Sequence, residues 1–173
     1  SPVGARTGAA RRWWVGPPVT GVGLILPAAG SGSRCGASQP KQIRMLAGRP
    51  VCMHALHAFH GLVDAAVIPV ADAVAGPIAD ALAADDPGFP TRLVAGGADR
   101  RASVAAGIAA LDPALEVILV HDAARPLVTP TMIAGCIAAV RAIGAAGVCR
   151  PCPDRIKRAP PDATTVRATV TPT

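Results

Sequence analysis

Aromatic side chains are almost absent from this chain of 173 residues. Phe and Trp together supply 2% of the residues and there is no Tyr, so few side chains can stack on nucleic-acid bases. The net charge of +6 arises at the ends, because residues 1–20 carry three basic and no acidic residues and residues 149–173 carry five basic and two acidic ones. The segment between them has nine of each and is neutral. We therefore predict no nucleic-acid partner.

Long apolar runs are missing as well. No stretch approaches the ~20 apolar residues that cross a bilayer, so we predict no membrane partner. The five cysteines are an odd number without a paired framework, which favours a reducing compartment and a cytoplasmic location. Cys149 and Cys152 form a lone CxxC pair that lacks the two further ligands of a zinc site, and we assign it no function.

Three histidines, His54, His57 and His60, recur every three residues within a predicted helix. Their positions drift around the helix, and no carboxylate lies between them. This pattern favours packing or surface roles over a metal site.

From about residue 21 onward, short apolar segments alternate with alanine-rich ones. We predict strands at 22–27, 65–70, 91–94, 116–120 and 147–149, and helices at 50–60, 74–84, 101–111 and 130–143. Three prolines are expected in first helical turns, where a missing N–H is tolerated: Pro50, Pro77 and Pro130. The alternation predicts an α/β, Rossmann-like fold, in which a mostly parallel sheet has helices on both faces and binds ligands at the carboxyl ends of its strands.

Small residues follow the first predicted strand. The run Pro27-Ala28-Ala29-Gly30 leads into Gly32 and Arg34, and Lys41 comes seven residues after that arginine. Small residues let backbone N–H groups approach an anion closely, and two cations suit a polyphosphate. The glycine spacing differs from the dinucleotide GxGxxG pattern, and there is no Gly-Lys-Ser/Thr of a P-loop. The loop predicts chemistry on a nucleoside triphosphate, with a plain glycine turn as the alternative.

A second motif places Gly96 and Gly97 between a predicted strand and a predicted helix. Two glycines allow close approach of the backbone, and the N-terminus of a helix offers free N–H groups to a polar or anionic ligand. Asp99 or Ser103 could equally be simple helix caps, and this motif alone favours that interpretation.

A third motif, His121-Asp122-Ala123-Ala124-Arg125, follows the apolar strand predicted at 116–120. A carboxylate at the end of a buried strand can orient a magnesium–phosphate complex. The alternative is a structural ion pair between Asp122 and Arg125.

Together these motifs resemble the 2-C-methyl-D-erythritol 4-phosphate cytidylyltransferases of the non-mevalonate isoprenoid pathway. The chain has Pro-Ala-Ala-Gly-x-Gly-x-Arg at 27–34, Pro-Lys-Gln at 40–42, Gly-Gly-x-x-Arg-x-x-Ser-Val at 96–104 and Val-His-Asp-Ala-Ala-Arg-Pro at 120–126. The resemblance covers about residues 22–170. It implies a fold of the nucleotide-diphospho-sugar transferase type and transfer of a cytidylyl group from CTP to methylerythritol phosphate, with release of pyrophosphate. It also implies Mg²⁺ or another divalent cation and a homodimer.

The resemblance further assigns roles to single residues. Arg34 and Lys41 would be catalytic, stabilising the charge that develops on the triphosphate. Asp122 would lie beside Mg²⁺ and Arg125 near the acceptor phosphate. The substrate-binding residues would be Pro27, Ala28, Ala29, Gly30 and Gly32 on the CTP, Gly96, Gly97 and Ser103 on the cytosine and ribose, and Arg100, Asp122, Ala123 and Arg125.

The C-terminal region departs from the family's pattern. Arg155 stands where the family's Asp-Thr-x-Lys motif has Thr, and the family's acceptor-phosphate arginine falls on Pro172 shortly before the chain ends. We expect a disordered extension at 1–20, a nucleotide-binding core at 21–150, and an incomplete arm or tail at 151–173. The chain as given is then expected to bind nucleotide weakly, turn over little and dimerise poorly. A non-catalytic nucleotide-binding remnant and a cytidylyltransferase for another polyol phosphate, such as ribitol 5-phosphate, remain the alternatives.

Overall fold

The computed structural model describes residues 21–30 and 39–149 in full, and the backbone of 156–158 and 168–170. Its strands are β1 (Val22–Ile25), β2 (Met45–Leu46), β3 (Arg49–Pro50), β4 (Ala65–Val70), β5 (Thr91–Ala95), β6 (Val117–Val120), β7 (Ile156–Arg158) and β8 (Ala168–Val170). Its helices are α1 (Val51–His57), α2 (Asp72–Ala84), α3 (Arg100–Ala110) and α4 (Pro130–Ile143), and a 3-10 turn covers Lys41–Ile43.

The main sheet has four strands in the order β5-β4-β1-β6, and all of its pairings are parallel. Every residue of β1 and β4 is buried, as expected for inner strands of a sheet covered on both faces. Two antiparallel pairs, β2–β3 and β7–β8, lie outside this sheet. The predicted α/β class and parallel sheet are confirmed.

Helices cover both faces, and each face has its own apolar core. On one face Leu24 and Ile68 belong to a cluster with residues of α1, α2 and α4, including Met53, Leu56, Val74, Ile78, Ile133 and Ile137. On the other face Ile25 and Val67 pack with Leu111 and Leu115, which follow α3. Full burial of one such aliphatic side chain stabilises the fold by about 1.5–3 kcal/mol.

Four predicted strands differ from the structure, and β5 and β6 do so by a single residue at one end. β1 ends at Ile25 rather than at residue 27, although the N–H groups of Leu26 and Ala28 still donate to the carbonyls of Val67 and Pro69 at 3.0 and 2.8 Å. The predicted strand at 147–149 is irregular and exposed. Within the described residues it pairs with no strand, and an unpaired apolar segment has no ladder to hold it extended.

Three predicted helices also differ, although α3 is shifted by only one residue, to Arg100–Ala110. α1 begins at Val51, so Pro50 is its N-cap rather than a residue of its first turn. α1 ends at His57 rather than at 60, because Phe59 donates to Leu56 in a tighter turn and Gly61 has a φ of +72°. α2 begins at Asp72, which places Pro77 inside the helix rather than in its first turn.

The bond lost at Pro77 is the one that its N–H would have made to the carbonyl of Ala73. Helix α2 nevertheless continues to Ala84, since Val74 and Ile78 are buried on its inner side. Packing of this face against the sheet core offsets the missing hydrogen bond.

None of the helices in the described ranges combines the length and the apolar character needed to cross a bilayer.

Candidate active site

The three motifs meet at the carboxyl end of the sheet. The run Pro27–Gly30 leaves β1, Gly96 leaves β5, and His121 leaves β6. Backbone hydrogen bonds hold these segments to neighbouring strands: the N–H of His121 donates to the carbonyl of Ile25 in β1 at 3.0 Å, and the N–H of Gly96 donates to the carbonyl of Val70 in β4 at 2.7 Å. Parallel strands place these segments side by side, where α/β sheets bind their ligands.

The first and second motifs are in direct contact through small residues. A Cβ atom added to Gly96 would lie 2.5 Å from the Cβ of Ala29 and 3.2 Å from the carbonyl oxygen of Val70. Any side chain at position 96 would therefore push the two motifs apart. The glycine is required here for close approach of two backbones.

Ser103 and Asp99 organise the turn that contains Gly97. Asp99 is the N-cap of α3 and accepts a hydrogen bond from the N–H of Ala102 at 2.7 Å, as the capping interpretation predicted. The buried hydroxyl of Ser103 accepts from the N–H of Gly97 at 3.1 Å and donates to the carbonyl of Asp99 at 2.8 Å. Ser103 thus holds the Gly96-Gly97 turn in place through its hydroxyl group.

Asp122 joins the second and third motifs by ion pairs. Its Oδ1 accepts from Nε and Nη2 of Arg100 at 3.1 and 3.0 Å, and its Oδ2 lies 2.9 Å from Nε of Arg125. The predicted structural pair between Asp122 and Arg125 is present. Both arginine side chains are more than 60% exposed, so each retains guanidinium N–H donors for an anion.

His121 and Ala123 shape the same edge. The Nε2 of His121 lies 2.9 Å from the carbonyl oxygen of Arg125, and its ring packs against Phe59 with centroids 5.5 Å apart. Ala123 is buried, and its N–H donates to the carbonyl of Pro27 at 3.4 Å. These contacts hold the third motif against the first.

Arg100, His121, Asp122 and Arg125 form the polar end of a cavity of about 700 Å³. The rest of its wall is mostly apolar and comes from Phe59, β6, α4, the loop between β6 and α4, and residues 146–148. A pocket with converging polar groups at one end has the form expected of a small-molecule site.

Lys41 opens the 3-10 turn that follows Pro40, and its side chain is half-buried. The next residue, Gln42, is buried and donates from Nε2 to the carbonyl oxygens of Ala28 and Gly30 at 2.6 and 3.2 Å. This amide attaches the lysine-bearing turn to the first motif. Sequence analysis identified Lys41 but missed Gln42, whose only signal was its place in the Pro-Lys-Gln motif.

Two predicted residues of the first motif, Gly32 and Arg34, lie outside the described residues, as does Cys152. Of the described ones, Ala28 has both backbone groups engaged, its N–H with Pro69 and its carbonyl with Gln42. Ala29 and Gly30 follow it toward the undescribed part of the loop.

The histidine series has structural partners. His54 lies 2.7 Å from the carbonyl of Leu46, His57 lies 2.9 Å from Oδ1 of Asp85, and the third histidine bonds to a carbonyl of the α2–β5 loop. No group of three or more His, Cys, Asp or Glu side chains within the described ranges could hold a metal ion. These contacts agree with the packing or surface roles predicted for the three histidines.

Cys52, Cys136 and Cys149 are free thiols. Burial raises the pKa of the Cys52 thiol to about 11, so this residue is an uncharged core side chain at neutral pH.

Among the described residues, Asp122 places a carboxylate at this edge of the sheet, where it could bind a divalent cation together with a triphosphate. Mg²⁺ is commonly held by one or two carboxylates together with substrate phosphates, so a full protein cage is not required. Oδ2 has a further lone pair beside its contact with Arg125, whereas Oδ1 already accepts two hydrogen bonds from Arg100. The donor set is therefore compatible with such an ion.

A parallel α/β sheet with a small-residue loop, a glycine turn and arginines at its carboxyl edge defines a nucleotidyltransferase-type domain. The profile of one family, IspD: 2-C-methyl-D-erythritol 4-phosphate cytidylyltransferase, matches residues 22–171. The chain belongs to this family.

Individual relatives agree with this assignment. A 2-C-methyl-D-erythritol 4-phosphate cytidylyltransferase of Ralstonia nicotianae is 44% identical over 149 residues, which cover 78% of this chain and 58% of the relative. The chain thus spans about three fifths of the length of that relative.

Solved structures support the fold. The 4-diphosphocytidyl-2C-methyl-D-erythritol synthase of Anaerococcus prevotii has a TM-score of 0.69 at 24% identity, over 87% of this chain and 64% of that one. The Rv0371c protein of Mycobacterium tuberculosis, solved in complex with manganese, has a TM-score of 0.53 at 20% identity, over 70% of this chain and 60% of its own.

Proposed function

We propose that this protein transfers the cytidylyl group of CTP to 2-C-methyl-D-erythritol 4-phosphate and releases pyrophosphate. The observation that carries the proposal is the meeting of three motifs at one end of the sheet, where Gln42 also attaches the turn of Lys41. The family to which the chain belongs is named for this reaction.

In the proposed reaction, a phosphate oxygen of the acceptor attacks the α-phosphorus of CTP. The new P–O bond forms as the bond between the α-phosphorus and the bridging oxygen breaks, and the electron pair leaves with pyrophosphate. Such transfers depend mainly on positioning and on charge stabilisation. Lys41 and Arg34 are the proposed catalytic cations, because negative charge grows on the leaving phosphates.

From the contacts of the described residues we assign a separate role to each motif. The loop at 27–30 and Gly32 would face the triphosphate. The Gly96-Gly97 turn, which the hydroxyl of Ser103 supports, would face the nucleoside. Arg100 and Arg125, which share Asp122, would hold the acceptor phosphate in the cavity beside β6.

A divalent cation belongs to the proposal. Asp122 would hold it together with the triphosphate, and when bound it would neutralise phosphate charge. Mg²⁺ is the proposed ion, and the manganese in Rv0371c, a protein of the same fold, is in keeping with a divalent site. The proposal also includes a cytoplasmic location, where CTP and Mg²⁺ are available, and the homodimer that the resemblance implies for the family, although the chain as given is expected to dimerise poorly.

A non-catalytic nucleotide-binding protein is the second candidate. The observation that favours it is the engagement of Asp122 in ion pairs with Arg100 and Arg125, which a purely structural role also explains. The two candidates share nucleotide binding and differ in turnover. Transfer to another polyol phosphate would use the same nucleotide site and differ only in the acceptor.

Nucleotide selectivity tests the shared part. We expect CTP with Mg²⁺ to bind more tightly than ATP or GTP with Mg²⁺, because the family to which the chain belongs is named for cytidylyl transfer. Isothermal calorimetry measures the three affinities. Omission of Mg²⁺ with added chelator is the control and should weaken CTP binding. Equal affinities for the three nucleotides, or no binding, would remove the cytidylyl assignment.

A further inference from the structure

We propose that Gln42 is a positioning residue that fixes Lys41 relative to the loop at 27–30. This inference rests on the proposed function, since it concerns the cation that acts on the triphosphate. Gln42 itself lies behind the site and contacts the loop backbone. It would act on the reaction only through the placement of its neighbour.

The burial of Gln42 marks it as unusual. Its side chain is 4% exposed, and among the described residues it and Ser103 are the two buried polar or charged side chains. A buried amide is stable only when its donors are satisfied. Here Nε2 donates to the carbonyls of Ala28 and Gly30, across 14 and 12 residues of sequence.

The two carbonyls belong to the segment that carries the first motif. On its other side this segment is fixed by the sheet, because the N–H of Ala28 donates to the carbonyl of Pro69 at 2.8 Å. The loop therefore has one anchor on β4 and a second anchor on Gln42. A side chain with two N–H groups on one atom is needed to bond both carbonyls at once, and an amide provides them without adding charge.

The second anchor reaches Lys41 through a short, internally bonded turn. Ile43 donates to the carbonyl of Pro40 at 3.3 Å, and Arg44 donates to the carbonyl of Lys41 at 3.3 Å. Lys41 and Gln42 are adjacent in this turn, so a fixed Gln42 limits the positions open to the lysine. A small displacement of a charged group reduces transition-state stabilisation more than it reduces ground-state binding.

The test replaces Gln42 by Met, which has a similar length and no donor, and by Glu, which is nearly isosteric and puts oxygen against the two carbonyls. Gln39→Met is the matched control, because it makes the same change at an exposed glutamine three residues away. Pyrophosphate release from CTP with methylerythritol phosphate is measured under single-turnover conditions, over a range of protein concentrations.

We expect Gln42→Met and Gln42→Glu each to lower the maximal single-turnover rate at least tenfold, with the half-saturating concentration changed less than threefold. Gln39→Met should leave both within twofold of the unchanged protein. In the Lys41→Ala background, Gln42→Met should have almost no further effect, because a residue that acts through the lysine has nothing left to position. Multiplying effects in the double variant, or a change in half-saturation alone, would overturn the proposal.

A second measurement separates this inference from the proposed function. In ¹⁵N-labelled protein, Gln42→Met should shift the amide resonances of 28–30 and 41–44 together, whereas Gln39→Met should leave 28–30 unchanged. Shifts confined to 41–44 would refute the link between the two segments. Absence of pyrophosphate release in the unchanged protein, with both sets of resonances shifted, would contradict the proposed function and leave the link standing.

Discussion

Replacing Lys41 by alanine should lower the rate of cytidylyl transfer about a hundredfold and weaken CTP binding far less. Loss of one cation that stabilises charge in the transition state costs on the order of 3 kcal/mol, which corresponds to that factor. Lys41 is one of only two lysines among 17 basic residues, and its turn is attached to the first motif by Gln42. Single-turnover pyrophosphate release gives the rate, and calorimetry gives the affinity.

The control is Arg92→Ala, which removes one exposed positive charge from β5 at a distance along the strand from the motif-bearing edge. This variant should keep the rate within twofold. A near-normal rate in the Lys41→Ala protein would show that Lys41 is a surface lysine without a catalytic role.

Replacing Gly96 by alanine should damage both stability and nucleotide binding. The added methyl group would lie 2.5 Å from the Cβ of Ala29 and 3.2 Å from the carbonyl of Val70, so the two motifs must separate. Overpacking of this kind costs about 1–3 kcal/mol. We expect a lower free energy of unfolding by that amount in urea titrations, and CTP affinity reduced at least tenfold.

Two further variants test the cause. Gly135→Ala, in α4, adds the same methyl group where nothing lies within 4 Å, and it should raise stability by about 0.5–1 kcal/mol because alanine is the better helix former. The double variant Gly96→Ala with Ala29→Gly removes the closest clash and should recover most of the lost affinity. A Gly96→Ala protein that binds CTP normally would show that the contact between the motifs is not needed.

Local patterns predicted the regular elements well where sequence and packing agree. The boundaries of β4 and α4 are those predicted, because an apolar run that begins directly after Asp64 defines the strand and Pro130 with Gly144 bounds the helix. The prediction at 147–149 was wrong because a strand requires a hydrogen-bonded neighbour, which its own sequence cannot report. Pro77 was misplaced because burial of the inner face of α2 outweighs one lost hydrogen bond.

The site was predictable in part for the same reason. Motif spacing identified Lys41 and Asp122, and the resemblance assigned them to a reaction. The pairing of Asp122 with Arg100 joins residues 22 positions apart, and Gln42 reaches back 14 residues to Ala28. Contacts of this kind depend on how strands are ordered in the sheet, so they became visible only in the folded chain.

The most direct test of the central claim is product formation from CTP and 2-C-methyl-D-erythritol 4-phosphate with Mg²⁺, with the protein in excess over CTP. We expect slow release of one pyrophosphate per CTP, together with a CDP-linked product and only when the acceptor is present, since the chain as given is expected to turn over little. The reaction should be slower still when ribitol 5-phosphate or ATP replaces the proper substrate. Tight binding of CTP without any product, at protein concentrations that saturate the nucleotide, would contradict the account and identify a nucleotide-binding protein without transferase activity.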